Sequence, residues 1–231
     1  MDTTASGTTH HTGTHVGALS HTTRALGVEL IGTFFLVFTV GAAVRSGSSL
    51  APLAIGAVLM VMIYAGGHIS GGHYNPAVTM AALVRGRIGG GEAVGYWVAQ
   101  FVAGVLAALV VRGVVAPGSA STLNLSGSAM GAAFVVELLF TFALAYVVLN
   151  VATSKDQPGN GFFGLAIGFT VAAGAFAVGG ISGGVFNPAV ALGGASAGLF
   201  AWSTIWVYLL VELGAGIAAG LAFLALNPGD R

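Results

Sequence analysis

His68-Ile69-Ser70-Gly71-Gly72-His73-Tyr74-Asn75-Pro76-Ala77-Val78 nearly recurs 112 positions later as Gly180-Ile181-Ser182-Gly183-Gly184-Val185-Phe186-Asn187-Pro188-Ala189-Val190, with eight of eleven positions identical. Both copies lie in otherwise apolar sequence. Neither can be the middle of a continuous membrane-spanning helix, because a Gly-rich turn runs into Asn-Pro-Ala. Pro is at home in a helix's first turn, where its missing N–H costs nothing, and Asn is a favoured N-cap whose oxygen accepts from the freed amides. Each copy therefore predicts irregular backbone ending at the start of a new helix. Two such interruptions at matching places in two halves point to a channel or transporter site.

Composition supports the membrane setting. The chain of 231 residues is 56% hydrophobic and 6% charged, with a mean hydropathy of +0.93. Seven basic and seven acidic side chains are too few to solvate a soluble domain of this length. Zero net charge offers no electrostatic case for nucleic acid. Cysteine is absent, so disulfides, thiolate metal sites and cysteine nucleophiles are excluded. Residues 1–23, rich in Thr, Gly, Ser and His, read as a disordered tail and not as a signal peptide. His10, His11 and His15 lie there among Thr and Gly, without a second anchor for a metal ion.

Six apolar segments, roughly 25–44, 50–67, 93–115, 129–151, 161–179 and 202–226, approach the length needed to cross a bilayer. Two shorter ones, roughly 75–84 and 187–197, start at the Asn-Pro-Ala motifs. At 1.5 Å per residue a ten-residue helix covers about 15 Å, half of the hydrocarbon core. These segments can enter but not cross, and the backbone before them must be buried in protein or line water. The expected fold is an all-α membrane bundle of six spans and two re-entrant half-helices. With both termini cytoplasmic, Arg24, Arg85, Arg87, Lys155 and Arg231 lie inside against Arg45 and Arg112 outside, as the positive-inside rule requires. The two halves then run in opposite directions. The first repeat spans 24–116 with its re-entrant loop at 68–84, and 117–128 links it to the second. That repeat spans 129–226 with its loop at 180–197, and 227–231 form a short tail.

The repeat extends beyond the loops. Val28-Glu29-Leu30 is echoed by Val136-Glu137-Leu138, and Gly104 and Ala108 match Gly216 and Gly220. Small residues four apart, including Gly164 and Gly168, let helices approach closely in lipid. Half-helices entering from opposite faces bring their positive N-terminal ends together near the midplane. Asn75 and Asn187 then offer side-chain N–H donors to the lumen. Gly71, Gly72, His73 and Tyr74, with Gly183, Gly184 and Val185, are expected to be extended backbone aiming carbonyls into it. Donors on both sides of a water, with paired dipole ends, disfavour proton conduction and repel cations.

Over residues 24–226 the chain resembles the aquaporin (major intrinsic protein) family, on the strength of two Asn-Pro-Ala motifs at this spacing with the first-span glutamate. The resemblance implies passive conduction, a homotetramer with one pore per subunit, and no cofactor. It also implies that Glu29 and Glu137 brace the re-entrant loops through backbone amides, which suits buried carboxylates in need of donors. Family members usually carry Arg after the second Asn-Pro-Ala; here Val190 stands there, as Val78 does in the first copy. Counting by analogy places the other filter positions at Ile55, Ala175 and Gly184. That ring has no charge, no aromatic and little bulk. It predicts a wide pore for glycerol, urea or metalloid hydroxides such as arsenous acid in a bacterial plasma membrane.

A water-selective pore is the alternative within the family. A secondary transporter built from inverted repeats is the alternative outside it, and would need an acidic coupling site. Glu212, mid-span and matching Gln100, is the one acidic residue without an assigned place. It is expected to be a carboxyl, charged or protonated, satisfied by neighbouring helices or at a subunit contact, with a protonatable gate or coupling site as the alternative. His73 is expected to pack inward. Tyr96, Trp97, Trp202, Trp206 and Tyr208 are expected to anchor the interface. No nucleophile–base arrangement suggests an enzyme.

Overall fold

A computed structural model describes residues 19–118 and 120–230; His10, His11, His15 and Arg231 lie outside them. Helices dominate the described residues. α1 (His21–Arg45) starts at Ser20, whose hydroxyl accepts from the Thr23 N–H at 3.2 Å. α2 (Ala51–Ser70) ends at Gly71 in the left-handed region, φ 85°. The half-helix α3 (Pro76–Val84) follows, then α4 (Gly90–Val110). The third span was expected to run to 115, but its last five residues, Val111–Val115, widen into a π turn. The second half repeats the series: α5 (Gly127–Thr153), α6 (Phe163–Ser182) ending at left-handed Gly183, half-helix α7 (Pro188–Ser196) and α8 (Ile205–Leu226). A single 3-10 turn, Trp202–Thr204, precedes α8. Six of these helices are long and apolar enough to span a membrane.

Packing inverts the pattern of a soluble protein. On α4, Ala93, Ala99, Ala103, Gly104 and Ala107 are buried, whereas Val94, Val98, Val102, Leu106 and Leu109 face outwards. Small side chains inside permit backbone contact, and bulky apolar ones outside suit lipid. α1 packs on α4, α5 on α8, and α2 on α6 across the two halves. Each half-helix packs on the third span of the opposite half: α3 on α8, and α7 on α4.

The small residues explain this crossing. A Cβ on Gly104 would stand 2.7 Å from the Ala189 carbonyl oxygen, and one on Gly216 would collide with that of Ala77. Their role is thus to seat the half-helices, more than to join span to span. Gly56 and Gly168 meet backbone to backbone between α2 and α6, and Gly164 accommodates the Tyr64 ring.

The aromatics divide. Trp202 and Trp206 are 58% and 54% exposed, but Tyr96 and Tyr208 are buried, contrary to an interfacial role. Their hydroxyls donate to the carbonyls of Ser70 (2.7 Å) and Ser182 (2.6 Å), where α2 and α6 run out of intrahelical partners. Trp97 donates to the Pro76 carbonyl at 3.1 Å. At the end of the bundle where α3 terminates, Asp230 accepts from Arg85 Nη2 at 2.7 Å and from the Lys155 N–H at 2.8 Å. The Arg85 guanidinium also lies 4.2 Å over the Phe223 ring.

Candidate functional site: the cavity at the paired half-helices

Asn75 and Asn187 act as N-caps in the manner the Asn-Pro-Ala sequence dictates. Asn75 is extended (φ −158°), and its Oδ1 accepts from the N–H of Ala77 at 2.8 Å and of Val78 at 3.4 Å. Asn187 does the same with Ala189 (2.9 Å) and Val190 (3.4 Å). Such a cap is worth about 1 kcal/mol to a helix, a substantial fraction for helices of nine residues.

The side-chain amides then cross between the halves. Asn75 Nδ2 donates to the Phe186 carbonyl at 2.8 Å, and Asn187 Nδ2 donates to the Tyr74 carbonyl at 2.9 Å. Each amide carries two N–H groups, so one per Asn remains for the central cavity, which both residues line. The N-terminal ends of α3 and α7, each bearing about half a positive charge, are thereby fixed beside each other.

The two loops are not the extended strands expected. Gly71, Gly72 and Tyr74 have φ of 85°, 64° and 48°; Gly183, Gly184 and Phe186 have 94°, 64° and 52°. Left-handed aromatic residues are strained, so something must hold them. The Tyr74 ring fills the space left by Gly32 and Gly66 and its hydroxyl donates to the Met62 carbonyl at 2.9 Å. Phe186 packs against Gly174 and, 5.3 Å away, the Phe140 ring.

Two buried glutamates complete the hold. Glu29 Oε1 accepts from Ser70 Oγ (2.7 Å) and the His73 N–H (2.9 Å), and its Oε2 from the Tyr74 N–H (2.7 Å) and Gln100 Nε2 (2.9 Å). Glu137 Oε1 accepts from Ser182 Oγ (2.6 Å) and the Val185 N–H (3.0 Å), and its Oε2 from the Phe186 N–H (2.8 Å). Hydrogen bonds to a charged group contribute roughly 1.5–3 kcal/mol each, enough to offset the backbone strain.

The structure gathers most of the sequence-derived site residues onto one cavity of about 430 Å³. Gly72, His73, Gly183, Gly184 and Val185 line it. Tyr74 and Gly71 do not: the Tyr74 carbonyl is taken by Asn187, and Gly71 lines a second cavity of about 390 Å³ towards the Arg87 end. His73 lines both; its ring packs edge-on to Tyr96 at 5.2 Å and Nδ1 sits 3.0 Å from Thr79 Oγ1.

Ile55, Ala175, Gly184 and Val190 all line the first cavity, and a Cβ on Gly184 would stand 3.1 Å from Ala175 Cα. Sequence reading missed Leu123, Leu199 and Phe200, which also line that cavity. They arrive by a long-range pairing with no local signal: the Leu123 N–H donates to the Leu199 carbonyl at 2.8 Å, and the Ala201 N–H to the Leu123 carbonyl at 3.0 Å. Among the described residues, no Arg or Lys lines this cavity in place of the absent Arg. Arg45 turns its guanidinium to the carbonyls of Ala116 (2.9 Å), Ala197 (2.9 Å) and Gly118 (2.6 Å).

Comparison with known proteins agrees with this geometry. Residues 46–223 match the family described as Major intrinsic protein. Glycerol uptake facilitator protein-like 6 of Lactiplantibacillus plantarum is 43% identical over 201 residues, covering 83% of this chain and 93% of that protein. Aquaporin TIP1-2 of Zea mays is 37% identical, covering 93% of this chain and 91% of its own. The fold matches the crystal structure of the aquaglyceroporin from Plasmodium falciparum with a TM-score of 0.73 at 20% identity, over 87% of this chain and 95% of that one.

Proposed function

The chain belongs to the major intrinsic protein family of membrane channels, and we propose that its pore is of the wide type, conducting glycerol, urea or neutral metalloid hydroxides such as arsenous acid besides water. One observation carries this reading: Ile55, Ala175, Gly184 and Val190 line one cavity, without a charge or an aromatic among the four. A guanidinium at Val190 would add fixed donors, a positive charge and bulk; valine adds none of these. With no cation in that ring, the barrier to ions falls on the N-terminal ends of α3 and α7 and on the inward N–H of Asn75 and Asn187. The carbonyl-rich loops offer a neutral solute acceptors along one side, and the apolar wall supports its carbon or metalloid face. Relatives named for glycerol uptake and for aquaporin activity support the class of solute.

We further propose insertion in a bacterial plasma membrane, supported by the short loops and the bacterial relative, with both termini cytoplasmic, supported by the distribution of Arg and Lys. Assembly as a homotetramer follows the family resemblance.

Solute entry into proteoliposomes tests the selectivity. The wild type is expected to pass water, glycerol and arsenous acid, and Val190→Arg to reduce the larger solutes much more than water. Ala175→His, which narrows the same ring from α6, is expected to act in the same direction. Water flux without glycerol or arsenous acid entry in the wild type overturns the wide-pore reading and leaves a water-selective channel. Saturable uptake driven by an ion gradient overturns both.

A further inference from the structure

The two loop braces differ in one place. Glu29 receives four donors, the last being Gln100 Nε2 at 2.9 Å, which also reaches Thr79 Oγ1 at 3.0 Å. Glu137 receives only three, from Ser182, Val185 and Phe186. The residue 112 positions after Gln100 is Glu212, and the residue 112 after Thr79 is Ala191. A second carboxyl therefore stands where the first half has a donating amide, and the hydroxyl that assists it is gone.

Glu212 is completely buried, and neither of its oxygens has a hydrogen-bond partner. Its carboxyl faces that of Glu137 and the backbone N–H of Asn187. Near Glu212 the elements packed on α8 bring nothing positive: Glu137 comes from α5, Tyr208 lies one turn earlier on α8 itself, α3 and α7 carry no ionisable side chain, and Arg85, which caps α3, meets α8 at Phe223, about three turns further along. Two adjacent buried carboxylates without a cation cannot both stay ionised.

We propose that Glu212 is a protonated carboxylic acid that donates its O–H to Glu137, supplying the fourth hydrogen bond of the second brace in place of a glutamine amide. Its remaining oxygen is then turned towards the Asn187 N–H, so the acid links Glu137 to the backbone of the midplane residue. Glu212 is a positioning residue for the second loop and touches no solute. The proton it holds is structural. It is neither a coupling ion nor a gate, which removes the one acidic candidate for a transporter site.

Infrared spectroscopy of the full-length protein in lipid tests this directly. The wild type is expected to show the C=O stretch of a hydrogen-bonded, protonated carboxyl at neutral pH, and Glu212→Gln to lack it. Because glutamine restores the amide of the first half, that variant is expected to keep wild-type solute flux at every pH. Glu212→Leu removes the donor and is expected to speed amide exchange at Val185 and Phe186 about tenfold, the scale of one hydrogen bond to a charged group. A spectrum without the protonated band at neutral pH overturns the proposal. So does wild-type flux that titrates near neutrality and ceases to do so in Glu212→Gln. These outcomes are independent of solute selectivity, so a water-only pore leaves the proposal standing.

Discussion

Gly216 and Gly214 sit two residues apart on α8 and differ in what surrounds them. A side chain at Gly216 meets the Ala77 carbonyl, whereas nothing lies within 4 Å of one at Gly214. Gly216→Leu is expected to push α8 off the first half-helix at a cost of about 1–3 kcal/mol or more. Its thermal aggregation midpoint in detergent should fall well below the wild type, with Gly214→Leu unchanged. Equal effects of the two substitutions would show that the contact with Ala77 is unimportant. The match of Gly104 with Gly216 was legible as a repeat of small residues, but not their partner. Spacing shows that a helix face is thin; it does not say whether a span or a half-helix fills the space.

The re-entrant loops show the same limit among elements. Their ends were legible because Asn at an N-cap and Pro in the first turn leave few alternatives. Their interior was not, because Tyr74 and Phe186 adopt left-handed backbone that sequence assigns to glycine or asparagine. Ring packing against glycines and the buried glutamates, reaching from α1 and α5, together hold that conformation. Glu29→Leu is expected to leave the His73 and Tyr74 N–H groups without their acceptor, at roughly 1–3 kcal/mol for each unpaired donor. Hydrogen exchange should then accelerate at His73 and Tyr74 before it does in α1 or α4; uniform acceleration would mean global loosening instead. Ile55, Ala175, Gly184 and Val190, reached by counting along the family resemblance, do line one cavity. Phe200 and Leu123 were not legible, since the linker and the segment after α7 meet only in three dimensions.

Across the whole molecule, Asp230 clasps the C-terminal segment to Arg85 of the first half and to the Lys155 N–H of the second. The Lys155 N–H, and next to it Arg85, hold the Asp230 carboxyl below its ordinary value of 3.8. Because the folded state binds this proton less readily than the unfolded, the clasp contributes fully above the ordinary value and is lost as pH falls through the lower folded one. Protection of the Lys155 amide should therefore be flat at neutral pH and fail in strong acid. Asp230→Asn should weaken it at all pH values; unchanged protection in that variant would remove Asp230 from the clasp. The deeper tie between halves is the exchange of side-chain amides, Asn75 to Phe186 and Asn187 to Tyr74. It has a consequence for biosynthesis. The partners of the first bond are 111 residues apart, which a ribosome adding about 5–20 residues per second bridges on the order of ten seconds. During that interval the first loop has an unmatched amide and an unmatched carbonyl inside the translocation machinery. Neither half is a pore in waiting, and the conduit comes into being only when the later loop reaches the earlier one.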